Sequence, residues 1–442
     1  MNIWTTFGLT DNPYSTKPIT PDETGEKLLV GRDNELAELT MALSSLDTNP
    51  TLEGPNGVGK TSLVSVAAYK LKKEFTDGVS SQAAIPLDSP FQLKLGEDVI
   101  LFKRRVFLRV ARAFIDNHEL LKCRGMNVPN VDSINAWLSN PVFKNVSGGA
   151  TIALIGGLSA GESTTVNTAA GFSEEGFINT VTQWLKDCFP TPTAGFFIGV
   201  IDNVELLETG KEARELLEAL RDEVLRIEGL RWVLCGALGV VRRAAYTPRL
   251  EGVLAEPIMI TPIPDEFITP LIMARLDAYK VDSTVLPPVD AQGFIHLYHV
   301  GNRNLRNAMK YSQDFALWVV KNSLDVSDKD VRQTALEQWM VEVAAKGAGD
   351  LKIGKRAWQV FDDLAAMGGI MRPNQHPEFG FDSYSAMHQH LKALDEANLI
   401  ESEIDDTDNR KKTITIVSRG WIVNYKRNGL PLLANQVIEV EQ

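Results

Sequence analysis

Gly54, Gly57, Gly59, Lys60 and Thr61 stand in the run Leu52-Glu53-Gly54-Pro55-Asn56-Gly57-Val58-Gly59-Lys60-Thr61-Ser62. The run fits the pattern G-x-x-x-x-G-K-[ST] at every position. The glycines let the backbone bend through conformations that a side chain blocks. The bend turns successive N–H groups into one concavity, which suits phosphate oxygens. Lys60 adds a point charge for β- and γ-phosphates, and Thr61 offers a hydroxyl to Mg²⁺. Residues Gly54, Pro55, Asn56, Gly57, Val58, Gly59, Lys60, Thr61 and Ser62 are therefore expected to hold ATP or ADP with Mg²⁺. An accidental glycine-rich turn is the alternative, and the flanks argue against it. Pro50 to Glu53 can serve as a buried strand end, and Thr61 to Leu71 carries apolar residues at helical spacing. Such a helix puts its positive dipole end at the same spot.

A second acid belongs with this loop. Gly195 to Asn203 reads as a buried strand with Asp202 at its C-terminal end. In parallel α/β sheets ligands sit beyond the carboxyl ends of the strands. Asp202 is thus expected near Mg²⁺, as the metal partner of Thr61. Upstream, Val30-Gly31-Arg32-Asp33 reads as a tight turn with Asp33 as an N-cap. Val30 and Gly31 are expected to cover the adenine ring with backbone atoms, the alternative being an ordinary loop-to-helix junction.

Bulk composition bounds the rest. The 442 residues suffice for two to four domains. A net charge of −12 excludes a uniformly basic nucleic-acid binder, so any DNA contact must come from a local patch. Cys123, Cys188 and Cys235 form no C-x-x-C pair and the six histidines do not join them, which argues against disulfides and zinc and for a reducing cytoplasm. The first residues lack the plan of a signal peptide, and no apolar run approaches 18 residues, so a cytoplasmic protein away from membranes is expected.

Along the chain, residues 1–26 read as an extended arm, since prolines 13, 18 and 21 disfavour helix. The fold class expected is α/β, with a parallel-sheet core over 27–262 and a helical lid with a linking helix over 263–346. The break Lys346-Gly347-Ala348-Gly349 separates them from 350–428, where helix, helix and a two-stranded hairpin give the α+β plan of a winged helix. Residues 429–442 are a tail. Residues 120–176 are an insertion with a predicted hairpin at 148–168, either a surface feature or a contact for DNA or a neighbouring subunit. Gly156 to Ser163 mimics the phosphate loop, but Glu162 replaces the lysine and would repel phosphate.

Val30 to Asp33, Gly54 to Ser62, Val200-Ile201-Asp202-Asn203 and Gly301-Asn302-Arg303-Asn304-Leu305-Arg306 together make residues 28–322 resemble the AAA+ and STAND class of P-loop ATPases. The nearest flavour is the origin-recognition/initiator group and archaeal-type ATPases. The resemblance implies that the last motif is sensor 2, where a lid arginine touches the γ-phosphate; Arg303 and Arg306 both qualify. Two departures stand out. The family's acid after the strand-end aspartate is Asn203 here, and an amide can position water but cannot take a proton. Glu205 can substitute, with its direction left open. Binding is implied, rapid hydrolysis is not. The polar sensor 1 position near Cys235-Gly236 is unclear. Arg249 is either an arginine finger or a surface residue.

The C-terminal part resembles winged helices of the MarR type in Asn398-Leu399-Ile400 and Asp408-Asn409-Arg410. That implies a recognition helix offering Ser383, Tyr384, Ser385, His388, Gln389 and Lys392 to double-stranded DNA, and a wing offering Arg410, Lys411 and Lys412. Against it, residues 350–428 hold 11 basic and 12 acidic side chains, so docking of protein stays open beside DNA. The function expected is an ATP-dependent switch that couples nucleotide state to DNA binding or to assembly of a homo-oligomer. The alternatives are a STAND-type signalling or defence scaffold and an ATPase adaptor of a transposase or nuclease.

Overall fold

The structure, a computed structural model, describes residues 2–45, 47–93, 96–139, 174–204, 210–237, 239–281, 286–348, 353–403 and 413–431. The expected hairpin at 148–168, Glu205, the wing at 405–412 and the tail from 432 onward lie outside them.

Among the described residues six strands build the core: β1 (Asn49–Glu53), β2 (Ala83–Pro86), β3 (Phe91–Gln92), β4 (Gly195–Asp202), β5 (Leu230–Gly236) and β6 (Leu254–Met259). All pairings are parallel, in the order β2-β4-β5-β1-β6, with β3 also on β4. β1 and β5 are buried throughout because helices cover both faces of the sheet. β5 meets this with a mostly apolar run, whereas β1 buries Asn49 and Thr51 by hydrogen bonds to the carbonyls of Leu225, Val253 and Ala255. One face packs Phe102, Phe107, Phe114, Trp184 and Trp232; the other packs Leu39, Leu63, Val64, Phe196 and Val233. Register levels the carboxyl ends: Ile201 and Thr51 both align with Leu234 of β5, which lies between their strands. Asp202 therefore ends its strand level with Leu52, two strands from it and just below the glycine-rich loop. β6 leaves no signal in the sequence, because Pro257 and Glu256 interrupt it. Its edge position tolerates the proline.

The lid contains helices Asp265–Tyr279, Ala291–Val300, Leu305–Lys321 and Lys329–Ala348. Its core also takes in Trp4, Phe7, Leu9 and Tyr14. The arm thus differs from the extended segment expected. It holds a 3₁₀ turn at Ile3–Phe7, capped by Asn2, and a helix at Glu23–Leu28, capped by Asp22. Its aromatic residues are what dock it, and the burial of about four large apolar side chains outweighs its prolines.

The C-terminal module runs helix Lys355–Ala366, β7 (Ile370–Met371), a 3₁₀ turn at Pro373–Phe379, helix Tyr384–Glu396, β8 (Ile400–Glu403), β9 (Thr413–Ile416) and helix Ser418–Asn428. The antiparallel order β7-β9-β8 with these helices is the plan of a winged helix. Ser383 caps the second long helix through the Ala386 N–H. The expected break at 346–349 is less sharp in the structure: the linking helix continues to Ala348. The last helix packs back on the lid, where Ile422 joins the lid core and Glu337 accepts from Tyr425 at 3.1 Å and from Lys426. No helix among the described residues is long and apolar enough to cross a membrane, and no cluster there suits a metal held by His, Cys, Asp and Glu alone.

Candidate nucleotide-binding site

The loop between β1 and helix Lys60–Thr76 needs left-handed backbone at Gly57 (φ +85°) and Gly59 (φ +100°), which only glycine adopts freely. Gly54 is required for another reason: a Cβ there would run into the Ile260 carbonyl, whose strand extension hydrogen-bonds Glu53 at 2.7 Å. The backbone N–H groups of Asn56, Gly57, Val58 and Gly59 donate no hydrogen bond among the described residues. They are the donors that a phosphate would take. Lys60 is buried, and its Nζ donates to the carbonyls of Gly54 at 2.8 Å and Pro55 at 3.2 Å.

Thr61 Oγ1 donates to Asp202 Oδ2 at 2.8 Å, while Asp202 Oδ1 accepts the Asn203 N–H at 3.0 Å. The two residues come from segments 141 positions apart, so the sheet order alone brings them together. Arg32 stiffens the loop from behind. It is buried, donates to the carbonyls of Val58 at 3.2 Å and Thr261 at 2.5 Å, and pairs with Glu35 at 2.7 Å.

From the other side comes the lid. Asn304 caps helix Leu305–Lys321 and its Nδ2 donates to the Asn56 carbonyl at 2.7 Å. Gly57 has to be small here, since a Cβ would lie 2.6 Å from Asn304 Oδ1 and 2.8 Å from Arg306 Cβ. The two lid arginines have different surroundings. Arg303 Nη2 lies 2.7 Å from Asp265 Oδ2, which His299 Nε2 also approaches at 3.2 Å. Arg306 is exposed, lines the cleft and has no ion pair among the described residues. Next to them Asn302 Nδ2 donates to the Gly368 carbonyl of the C-terminal module at 3.2 Å. One turn thus touches both the phosphate loop and the C-terminal module. Asn302 and Arg303 hold it in left-handed backbone, at φ +54° and +57°.

Loop and lid enclose a cleft of about 70 Å³. Asp202 and Asn203 form its floor, and Ser15 to Pro18 of the arm close it, with Arg275 beside them. Among the described residues four cations, Lys17, Lys60, Arg275 and Arg306, meet there with one carboxylate, which favours a polyanion. Lys17, Arg275 and Arg32 went unremarked as site residues in the sequence, and only the aromatic residues of the arm could have signalled that it docks. A larger cavity, about 330 Å³, opens at the amino ends of the strands around Asn49 and Arg231, away from this constellation.

Val30 and Gly31 are not among the walls of the cleft. Val30 packs on the lid core, and Gly31 faces Phe267, 2.8 Å from where its Cβ would be. Ser62 Oγ accepts the Ile19 N–H of the arm at 3.1 Å. Near Cys235 the polar side chain comes from β1: buried Glu53 accepts the Gly239 N–H and faces Arg242 at 3.7 Å. Arg249 is exposed and lies 3.6 Å from Glu218.

No family model matches the sequence, and no curated protein matches it. Among solved structures, the chain is similar to the ORC2 protein of Aeropyrum pernix in its ADPNP–ADP complexes, at 11% identity and a TM-score of 0.44, over 95% of this chain and 99% of that one. It is similar to the Aeropyrum pernix ORC1 protein in complex with DNA, at 13% identity and a TM-score of 0.43, over 92% and 97%. It is also similar to the Walker-type ATPase paby2304 of Pyrococcus abyssi, at 12% identity and a TM-score of 0.43, over 94% and 99%.

Proposed function

We propose that this chain binds ATP with Mg²⁺ between the sheet and the lid, and that nucleotide state sets the position of the C-terminal module. The observation that carries the reading is the 2.8 Å bond from Thr61 to Asp202, which joins a hydroxyl and a carboxylate at the mouth of the loop. Two hard oxygen donors suit Mg²⁺, which usually keeps several waters and takes few protein ligands. Bound there, the ion would supply charge neutralisation to the β- and γ-phosphates. The chain does the rest. Asn56 to Gly59 offer N–H groups, Lys60 exchanges its two carbonyls for phosphate, and Arg306 meets the γ-phosphate from the lid. Asn203 can position a water but cannot take its proton, which leaves Glu205 as the candidate base for the step, so slow turnover is expected and the protein works as a switch.

Arg306 and Arg303 separate by experiment. Arg306→Ala should lower the preference for ATP over ADP about tenfold, or ~1.4 kcal/mol, with the melting temperature unchanged. Arg303→Ala should lower the melting temperature without nucleotide, because it removes the 2.7 Å ion pair and leaves His299 alone beside Asp265 Oδ2. Calorimetric titration with both nucleotides checks the pair, and equal ATP preference in Arg306→Ala and wild type would remove Arg306 from the site.

For the output we favour double-stranded DNA. Helix Tyr384–Glu396 exposes Ser385, His388, Gln389 and Lys392, and it stands where a winged helix enters the major groove. The change of Arg410 and Lys411 together to Ala should weaken DNA binding and reduce the salt slope by about two. An unaltered gel-shift titration would turn the reading toward protein docking, as in a STAND-type scaffold, an oligomer, or an adaptor of a transposase or nuclease. One observation favours that second reading: the last helix of the module is held on the lid by Glu337, Tyr425 and Lys426.

A further inference from the structure

Arg275, on lid helix Asp265–Tyr279, is 7% exposed. Its surroundings are unusual for a buried cation. Nη1 donates to the carbonyls of Pro13 at 3.2 Å and Ser15 at 3.4 Å, and Nε has no acceptor. No carboxylate pairs with it among the described residues, and the ionisable group that acts on it is the Tyr279 hydroxyl. Burial holds the guanidinium below its usual range. Arginine nonetheless keeps its proton in proteins. A charge buried against two carbonyls, without a counter-charge, destabilises the state that contains it.

The missing anion has a place. Arg275 lines the same cleft as Lys60, Thr61 and Arg306. The carbonyls it holds lie at the N-terminal end of the arm segment Ser15 to Pro18, which closes that cleft, and the other end of this segment is tied to Ser62 through the Ile19 N–H. Arg275 therefore stands between the arm and whatever occupies the cleft. Tyr14, one residue from both carbonyls, is fully buried in the lid core, so the arm cannot slide freely.

We propose that Arg275 is a further phosphate-binding residue of the site: bound nucleotide supplies its absent counter-charge, and through Pro13 and Ser15 the arginine then fastens the arm across the cleft. The inference rests on the nucleotide reading above and adds an ordering of the arm to it. In this scheme the arm is loosest without nucleotide and tightest with triphosphate.

The test uses the full chain and ATP with Mg²⁺. Arg275→Met keeps the length of the stem and removes the charge; Arg275→Lys keeps the charge and loses the planar fork. ATP affinity is read by calorimetry, and amide hydrogen exchange is read over residues 9–20. In wild type, ATP should slow exchange in the arm. In Arg275→Met, affinity should drop at least tenfold and ATP should no longer protect the arm, while the melting temperature without nucleotide does not fall. Arg275→Lys should stay within a few-fold of wild type in affinity, with weaker protection of the arm. Should the Met variant fail to fold, the Lys variant decides, and loss of ATP binding in it would overturn the proposal. So would wild-type affinity and intact arm protection in Arg275→Met, which would make the arginine a clamp only. Wild type that binds no ATP, with Lys60→Ala indistinguishable from it, would sink the nucleotide reading and this inference together.

Discussion

Lys60→Ala is expected to lower ATP affinity more than a hundredfold and to leave the protein folded. The Lys60 ammonium is buried at the base of the loop, and its acceptors are two carbonyls of the loop itself. Those bonds stay within the loop, so their loss is a local change that the scaffold survives. A hydrogen bond to a charged group contributes about 1.5–3 kcal/mol. Losing two to phosphate removes about 3 kcal/mol or more, at ~1.4 kcal/mol for each factor of ten. Lys17 and Arg306 are exposed and screened, and Arg275 is already committed to the carbonyls of the arm, so none of them takes over the place of the Lys60 ammonium at the base of the loop. Calorimetry with ATP, beside a melting curve without it, checks both halves. Unchanged affinity in a folded variant would defeat the assignment of the loop.

Asp202→Asn should abolish the extra stabilisation that Mg²⁺ adds to the ATP complex. The carboxylate uses both oxygens as acceptors, one from Thr61 Oγ1 and one from the Asn203 N–H. An amide can keep its oxygen on the Asn203 N–H, but it then turns an N–H toward Thr61. The hydroxyl can accept that bond, so the fold tolerates the change. The negative charge is gone, however, and an amide N–H now lies where a cation would sit. Ligand at a hundredfold excess over its Kd stabilises by ~2.7 kcal/mol, and that increment is what the variant should lose. The readout is thermal unfolding with ATP in EDTA and with ATP in Mg²⁺. Wild type should gain on adding the metal and the variant should not. An equal gain in both would place the ion elsewhere.

Legibility followed locality. The loop could be read because its glycines, lysine and threonine are contiguous, and their chemistry depends on backbone that they bend themselves. β4 and β5 were legible because strands covered on both faces need unbroken apolar runs. β6 was not, since an edge strand tolerates Pro257, and β7 was not, since two residues carry no period. Arg303 and Arg306 were equivalent in sequence. Asp265, 38 residues before Arg303, is what sets them apart.

By itself the sequence determined the chemistry on offer: a backbone nest, an amine, a hydroxyl and a strand-end carboxylate, each set by residue type and short-range spacing. Tertiary structure decided which of these meet. Thr61 reaches Asp202 only because β5 inserts between β1 and β4, and Arg275 meets the arm carbonyls only because Trp4, Phe7 and Tyr14 bury the arm against the lid. Both outcomes depend on pairing and burial between residues far apart along the chain. Such partners are chosen by competition for apolar area and hydrogen bonds across the whole fold, and no local pattern records who wins.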